Sequence, residues 1–261
     1  PRLHYDWHWD WNTGNGDMGN QGIHQMDIAR WFLNESTLSP QVMSVGGRLG
    51  YEDAGNTPNT QTVIHLYEKA PLIFETRGLP ESLAAQQAGW KPMDNYRGSQ
   101  IGVIIQCEKG YMVIPSYTSV TAYSNDGEAI EKWGGGGDHF GNLVDAIRSG
   151  NIADLNGEIL EGHLSSGLCH TGGISHQLGR PATAKDVEAA VSRHDLFAES
   201  FDRMAHHLRR NEVDIDGQPS LALGPWLEMD VKSERFVGHE EANAMLTRDY
   251  RPGYVVPDGA V

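Results

Sequence analysis

His24 and Asp27 stand three residues apart, with Asn20 one turn before His24, so on a helix these groups lie at neighbouring positions. A neutral imidazole held in one tautomer by a carboxylate or an amide can take a proton from a hydroxyl or from water near neutral pH. The same residues also have a structural reading, in which they cap the helix start or Asp27 pairs with Arg30. Asp17, His139, His163 and His170 are the candidates for substrate contact; His163 and His170 are seven residues apart and share a helical face. Asp10, Asn12 and Asp17 place oxygens around a glycine-rich turn, as a calcium loop does, although the spacing is not that of an EF-hand and no glutamate closes it. His4 and His8, alternating with Asp6 and Asp10, offer a nitrogen-based alternative. A divalent cation, Ca²⁺ or Zn²⁺, is the cofactor these groups suggest, against the alternative of a solvated acidic loop.

The groups need a scaffold, and the sequence supplies its punctuation. Glycines at 14, 16, 19 and 22 make a turn-rich loop, and Asn20, Ile23, Met26, Arg30 and Leu33 predict a helix over 20–34. The run Gly14-x-Gly16-x-x-Gly19 matches the dinucleotide fingerprint in letters, but it follows Trp9-Asp10-Trp11-Asn12 rather than a buried apolar strand, so a turn is predicted. The alternating segment 60–67, with further strand-like segments at 42–45, 72–76, 101–107, 110–115, 119–123 and 128–133, predicts strands joined by short turns, hence an antiparallel or mixed sheet. The stretch 80–100 reads as a long surface loop or flap. After Gly134-Gly135-Gly136-Gly137, Asp138 is placed to cap a helix through Arg148; further helices are predicted over 156–178 and over 184–211, the last broken near His194-Asp195. The tail from 212 reads as irregular, with a small helix at 240–246. The Ser165-Ser166-Gly167 run lies near His163 but forms no nucleophile elbow.

With 261 residues, 39% of them apolar and 21% charged, the chain can bury a sizeable core. A formal charge of −15 argues against nucleic acid and anionic membrane as partners, and no apolar run approaches a bilayer span. Cys107 and Cys169 read as two buried thiols rather than a disulfide framework. The chain opens on Pro1 without methionine and reads as a processed or truncated product, so its compartment, cytoplasmic or periplasmic, is not legible.

The stretch from Gly16 through His24 to Trp31 resembles the start of the catalytic domain of the glucose-fructose oxidoreductase/inositol dehydrogenase/MocA family. Supporting segments are Gly46-Gly47-Arg48 with Thr57 to Thr62, Asp138-His139-Phe140 to Ser149, Gly162-His163 through His170 to Arg180, and Ala242 to Pro257. The resemblance covers nearly the whole chain. It implies a single C-terminal α/β (α+β) domain over 1–261: loop and helix to 34, sheet over 41–133, helices over 138–211 and tail over 212–261. Its open, largely antiparallel sheet has helices on one face, and the other face serves a homo-oligomer. It implies a family Asp-x-x-x-His pair acting on a sugar hydroxyl, with His24 at the histidine position and Asn20 where the aspartate would stand.

Three functional expectations follow. As an autonomous unit, lacking the family's nucleotide-binding half, the chain is expected to hydrolyse a small ester, lactone or sugar-derived substrate with metal assistance. As part of a longer protein it is the substrate domain of an NAD(P)-dependent sugar or polyol oxidoreductase. The third expectation is a non-catalytic sugar-binding or dimerisation module.

Overall fold

The computed structural model describes residues 3–256, with side chains from Tyr5 onward, so the expectation for His4 as a ligand lies outside the described side chains. A short helix α1 (Leu3–Asp6), a 3₁₀ turn (Trp7–Trp9) and a π-helical turn (Met18–Gly22) lead into α2 (Ile23–Leu33). Asn34 stops α2 by taking the left-handed conformation and returning its N–H to the last carbonyls. Strands β1 (Gln41–Gly47), β2 (Thr60–His65) and β3 (Leu72–Arg77) then form successive antiparallel pairs. After a short helix α3 (Leu83–Gln87), strands β4 (Val103–Cys107), β5 (Gly110–Ser116), β6 (Ser119–Ser124) and β7 (Ala129–Gly134) make a separate four-stranded meander. The single open sheet expected from the sequence is thus two sheets. The division falls in the segment between β3 and β4, which α3 and two bonds to Asn211, from Gln86 and to the Pro80 carbonyl, hold against the body.

Helices α4 (His139–Ser149), α5 (Ile159–Gln177), α6 (Ala184–Val191) and α7 (Asp195–Arg210) fall where the apolar period and caps predict, including the interruption between α6 and α7. Asp138 caps α4, and Thr183 with Asp186 forms a complete capping box on α6. The tail differs from expectation. It yields β8 (Arg180–Ala182) with β9 (Leu221–Leu223), and β10 (Leu227–Asp230) with β11 (Arg235–Phe236), before α8 (Glu240–Ala244). Strands β9 and β10 share one edge of β1, pairing with Val45–Gly46 and with Gln41–Val42, while β2 fills the other edge. Strands of two to four residues carry no readable alternation, so the tail looked irregular.

The helical layer expected on one face is also doubled. Alternation along β1 and β2 sends Met43, Val45 and Ile64 to one side, where Phe197, Phe201, Met204 and Leu208 of α7 and Val187 and Val191 of α6 cover them. Val42 and Val63 point the other way, onto Met26 of α2 and Leu164, Leu168 and Cys169 of α5. Every residue of β2 is buried, the signature of a strand sandwiched between two layers. Among the described residues no helix is long and apolar enough to cross a membrane. Cys169 is buried as expected, whereas Cys107, at the outer end of β4, is exposed.

Candidate functional site

The glycine-rich loop is a self-contained turn. Asp10 anchors it, its carbonyl accepting from the N–H groups of Thr13 and Gly14 and its carboxylate from the backbone and side-chain nitrogens of Asn12, both at 3.0 Å. Asn56 ties the loop to the sheet: its side-chain oxygen accepts from Trp11 N–H and its own N–H donates to the Trp9 carbonyl. The three glycines pack closely against neighbouring protein atoms. A side chain at Gly14 would sit 2.7 Å from the His8 carbonyl oxygen, at Gly16 2.9 Å from Thr57, and at Gly19 it would overlap the Asn15 amide. Among the described residues the loop follows a 3₁₀ turn and enters a π turn, not the strand–turn–helix setting of a dinucleotide fingerprint.

The loop delivers the chain into the π turn that carries Asn20, and α2 begins one residue later than that turn ends. A π turn widens the backbone and loosens the one-turn registration that places positions i and i+4 above each other in an α-helix. Asn20 and His24 are both exposed, and no hydrogen bond to either side chain is found among the described residues. The His24 ring instead meets the ring of Tyr117 edge-on, with centroids 5.5 Å apart. Gln21 completes this patch by donating to the Tyr117 hydroxyl at 3.0 Å and to the Gln25 side-chain oxygen at 3.2 Å. Beside it a hollow of about 270 Å³ is lined by Gln25, Ile28, Ile101, Val103, Ile114 and Tyr117. Tyr117 sits at the tip of the β5–β6 hairpin, so the sequence shows it as an exposed turn aromatic but gives no sign that it reaches α2.

Asp27 turns away from His24. It accepts from Ser165 Oγ at 2.5 Å and from Arg30 at 3.4 Å, and Arg30, only 2% exposed, also binds Glu161, Ser165 and the Glu35 carbonyl. These contacts lock α2 to α5, which is the structural reading of Asp27. Asp17 is half-buried, and its carboxyl is raised above the usual carboxylate range by desolvation, with Trp9 and Arg48 nearby opposing that rise. His139 is exposed on α4 against Phe140, and His163 is exposed and bonded to Glu234 at 2.7 Å. His170, seven residues on, opens instead onto a different cleft.

That cleft, of about 550 Å³, lies between the loop, α5 and the tail. Trp7, Asn12, Asn15, Ser166, His170 and Arg248 line it, and Arg248 donates to the Trp11 carbonyl at 3.2 Å. Partial desolvation, with Arg248 as a second influence, holds the His170 imidazole below its ordinary range, which favours the neutral base. The sequence offered Asn12 and His170 as separate candidates; Trp7 and Asn15 carried no chemical signal, and Arg248 stood only within the Ala242 to Pro257 segment of the resemblance.

The divalent-cation expectation finds no support in this geometry. Asp10 is spent on Asn12, Asp17 is turned toward Trp9 and Arg48, and among the described residues no three His, Cys, Asp or Glu side chains converge as a metal requires. The hydrolytic expectation finds no support either: Asp27 is engaged by Ser165 and Arg30, and among the described residues no carboxylate is hydrogen-bonded to His24.

No protein-family model matches the chain, and no curated protein matches its sequence. Among solved structures it is similar to an oxidoreductase from Thermotoga maritima, at 14% identity and a TM-score of 0.44, over 65% of this chain and 45% of that one. It is also similar to the WlbA dehydrogenase from Bordetella pertussis, solved with NADH and UDP-GlcNAcA, at 11% identity and a TM-score of 0.27, over 86% and 53%. The chain spans about half the length of these structures.

Proposed function

We propose that the chain is the substrate domain of an NAD(P)-dependent sugar or polyol oxidoreductase of the glucose-fructose oxidoreductase/inositol dehydrogenase/MocA type. The observation that carries this reading is the state of His24. It is exposed on the first turn of α2 with its ring edge-on to that of Tyr117, whose hydroxyl accepts from Gln21, itself bonded to Gln25. An imidazole beside amides and a phenol is equipped to hold several hydroxyls and to move one proton. The Gly16 to Trp31 pattern, with His24 at the family's acid–base position, supports the same assignment.

This chain's share of the chemistry is acid–base. His24 accepts the proton of the substrate hydroxyl as its carbon is oxidised and returns it in the reverse direction, while Gln21, Gln25 and Tyr117 fix the neighbouring hydroxyls. NAD(P) would supply the hydride acceptor when bound.

The test is NAD(P)-linked oxidation of a panel of sugars and polyols by the protein as the cell makes it. His24→Ala should lower kcat/KM by about 10²- to 10⁴-fold, the usual contribution of a positioned acid–base group. An active enzyme whose rate is indifferent to His24→Ala would overturn the assignment. Turnover of esters or lactones without nicotinamide would restore the hydrolytic reading.

A further inference from the structure

The cleft between the glycine loop, α5 and the tail has a lining that none of the acid–base chemistry at His24 uses. One wall is aromatic. Trp7 packs its indole on the His8 ring, with centroids 4.0 Å apart and planes 17° from parallel, while 47% of the residue stays exposed at the cleft. His8 is buried with Nδ1 against the Tyr5 carbonyl, and Thr13 Oγ1 donates to the Trp7 carbonyl at 2.8 Å, so the ring is held from behind and from the loop. An aromatic face fixed in this way packs well on the C–H face of a pyranose.

The facing wall is polar. Asn12 and Asn15 from the loop and Ser166 and His170 from α5 present amide, hydroxyl and imidazole groups that both donate and accept, the complement of a set of hydroxyls. Arg248 supplies charge. It donates to the Trp11 carbonyl at 3.2 Å, which seats it at the cleft, and the rest of its guanidinium fork stays open to a planar anion. Asp249 shares the rim and offsets part of that field, so the cleft balances one negative charge better than two. A carboxylate fits that balance; a phosphate, with close to two charges at neutral pH, does not.

We infer that the cleft binds a sugar acid of the hexuronate class, its carboxylate on Arg248 and its carbon skeleton against Trp7. The volume of about 550 Å³ is in the range of small-ligand sites. Gly19 and Ile23, which immediately precede Asn20 and His24, form the wall nearest α2, so the cleft lies on the approach to the acid–base group. Arg248 is then the residue that selects acidic over neutral sugars for oxidation. That selection rests on the His24 reading given above; the binding does not.

Titration calorimetry on the protein as the cell makes it, with D-glucuronate, D-galacturonate, D-glucose and D-glucose 6-phosphate as probes, tests the site. One of the uronates should bind about tenfold or more tightly than glucose, and the phosphate ester no better than glucose. Arg248→Met should weaken uronate binding about 10- to 100-fold and leave glucose unchanged, while Arg248→Lys, which keeps the charge and loses the fork, should recover only part of the loss. Trp7→Ala should weaken both sugars alike. Both side chains are exposed, and an unchanged far-UV spectrum shows that the fold is intact. Uronates that bind no better than glucose, a preference for the phosphate ester, or affinity that survives Arg248→Met would each overturn the inference. Arg248-dependent binding without NAD(P)-linked oxidation keeps the cleft and removes the dehydrogenase reading; His24-dependent oxidation of neutral sugars by a protein that binds no uronate does the reverse.

Discussion

The seven-stranded sheet and the four-stranded meander are both antiparallel and both begin from alternating sequence, yet one is enclosed and the other is open. In the first, β1 is buried at every position but its first residue and β2 at every position, under α2 and α5 on one side and α6 and α7 on the other. In the second, burial declines from β4 and β5 until every residue of β7 is exposed, including Ile130 and Trp133. Helix α4 follows β7 and repeats the pattern. The contrast separates the part of the chain that closes on itself from the part that presents surface, and the proposed acid–base patch sits at their junction, where α2 of the enclosed half meets Tyr117 of the open one.

Unequal burial means unequal response to substitution. Phe201→Ala, deep between α7 and the sheet, should cost about 3–5 kcal/mol in urea-unfolding stability, whereas a loss below ~1 kcal/mol would show that this layer is not the core. Arg30→Met should cost about 3 kcal/mol by stranding Asp27 and Glu161 where α2 meets α5, and the same measurement on Arg148→Met in the open half should show almost nothing.

The enclosed half also carries an acid sensitivity that the open half lacks. Burial alone pushes His65 down to about 3 and His176 to about 4, from an ordinary value of 6.5. Between pH 6.5 and those values the unfolded chain holds protons that the native one does not, so stability falls as pH falls through this window and levels off below it. From pH 6.5 to 5 each histidine should remove roughly 2 kcal/mol. His65 has no partner for either ring nitrogen among the described residues, so His65→Leu should flatten part of the slope at little cost near neutral pH; an unchanged slope would refute the assignment. The smallest effect is expected from Trp133→Ser on β7, within about 0.5 kcal/mol in a single copy.

Much of the scaffold was legible because its cues are local. Strand β2 announced itself by alternation and the other strands up to β7 by β-branched and apolar runs bounded by turn residues, α4 by its Asp138 cap, and the α6–α7 break by His194-Asp195. The candidate site was legible in its residue types but not in its partnerships. Asp27 was a credible support for His24 until Arg30 and Ser165, the latter 138 residues away along the chain, claimed it. Tyr117, 96 residues from Gln21, entered the patch only through the packing of the hairpin against α2.

What the sequence by itself determined, then, is the order and type of the elements, the turn character of the glycine loop and the place of His24 at the start of a helix. Each of these depends on interactions within a few residues: caps, glycine conformations and the period of apolar side chains. Only the tertiary structure decided that the strands divide into two sheets, that helices cover both faces of one of them, that β9 and β10 complete the edge of β1, and that α4 keeps its apolar stripe outward. Those outcomes rest on contacts between segments far apart in the chain, where the free energy depends on which surfaces meet and carries no mark in the local pattern.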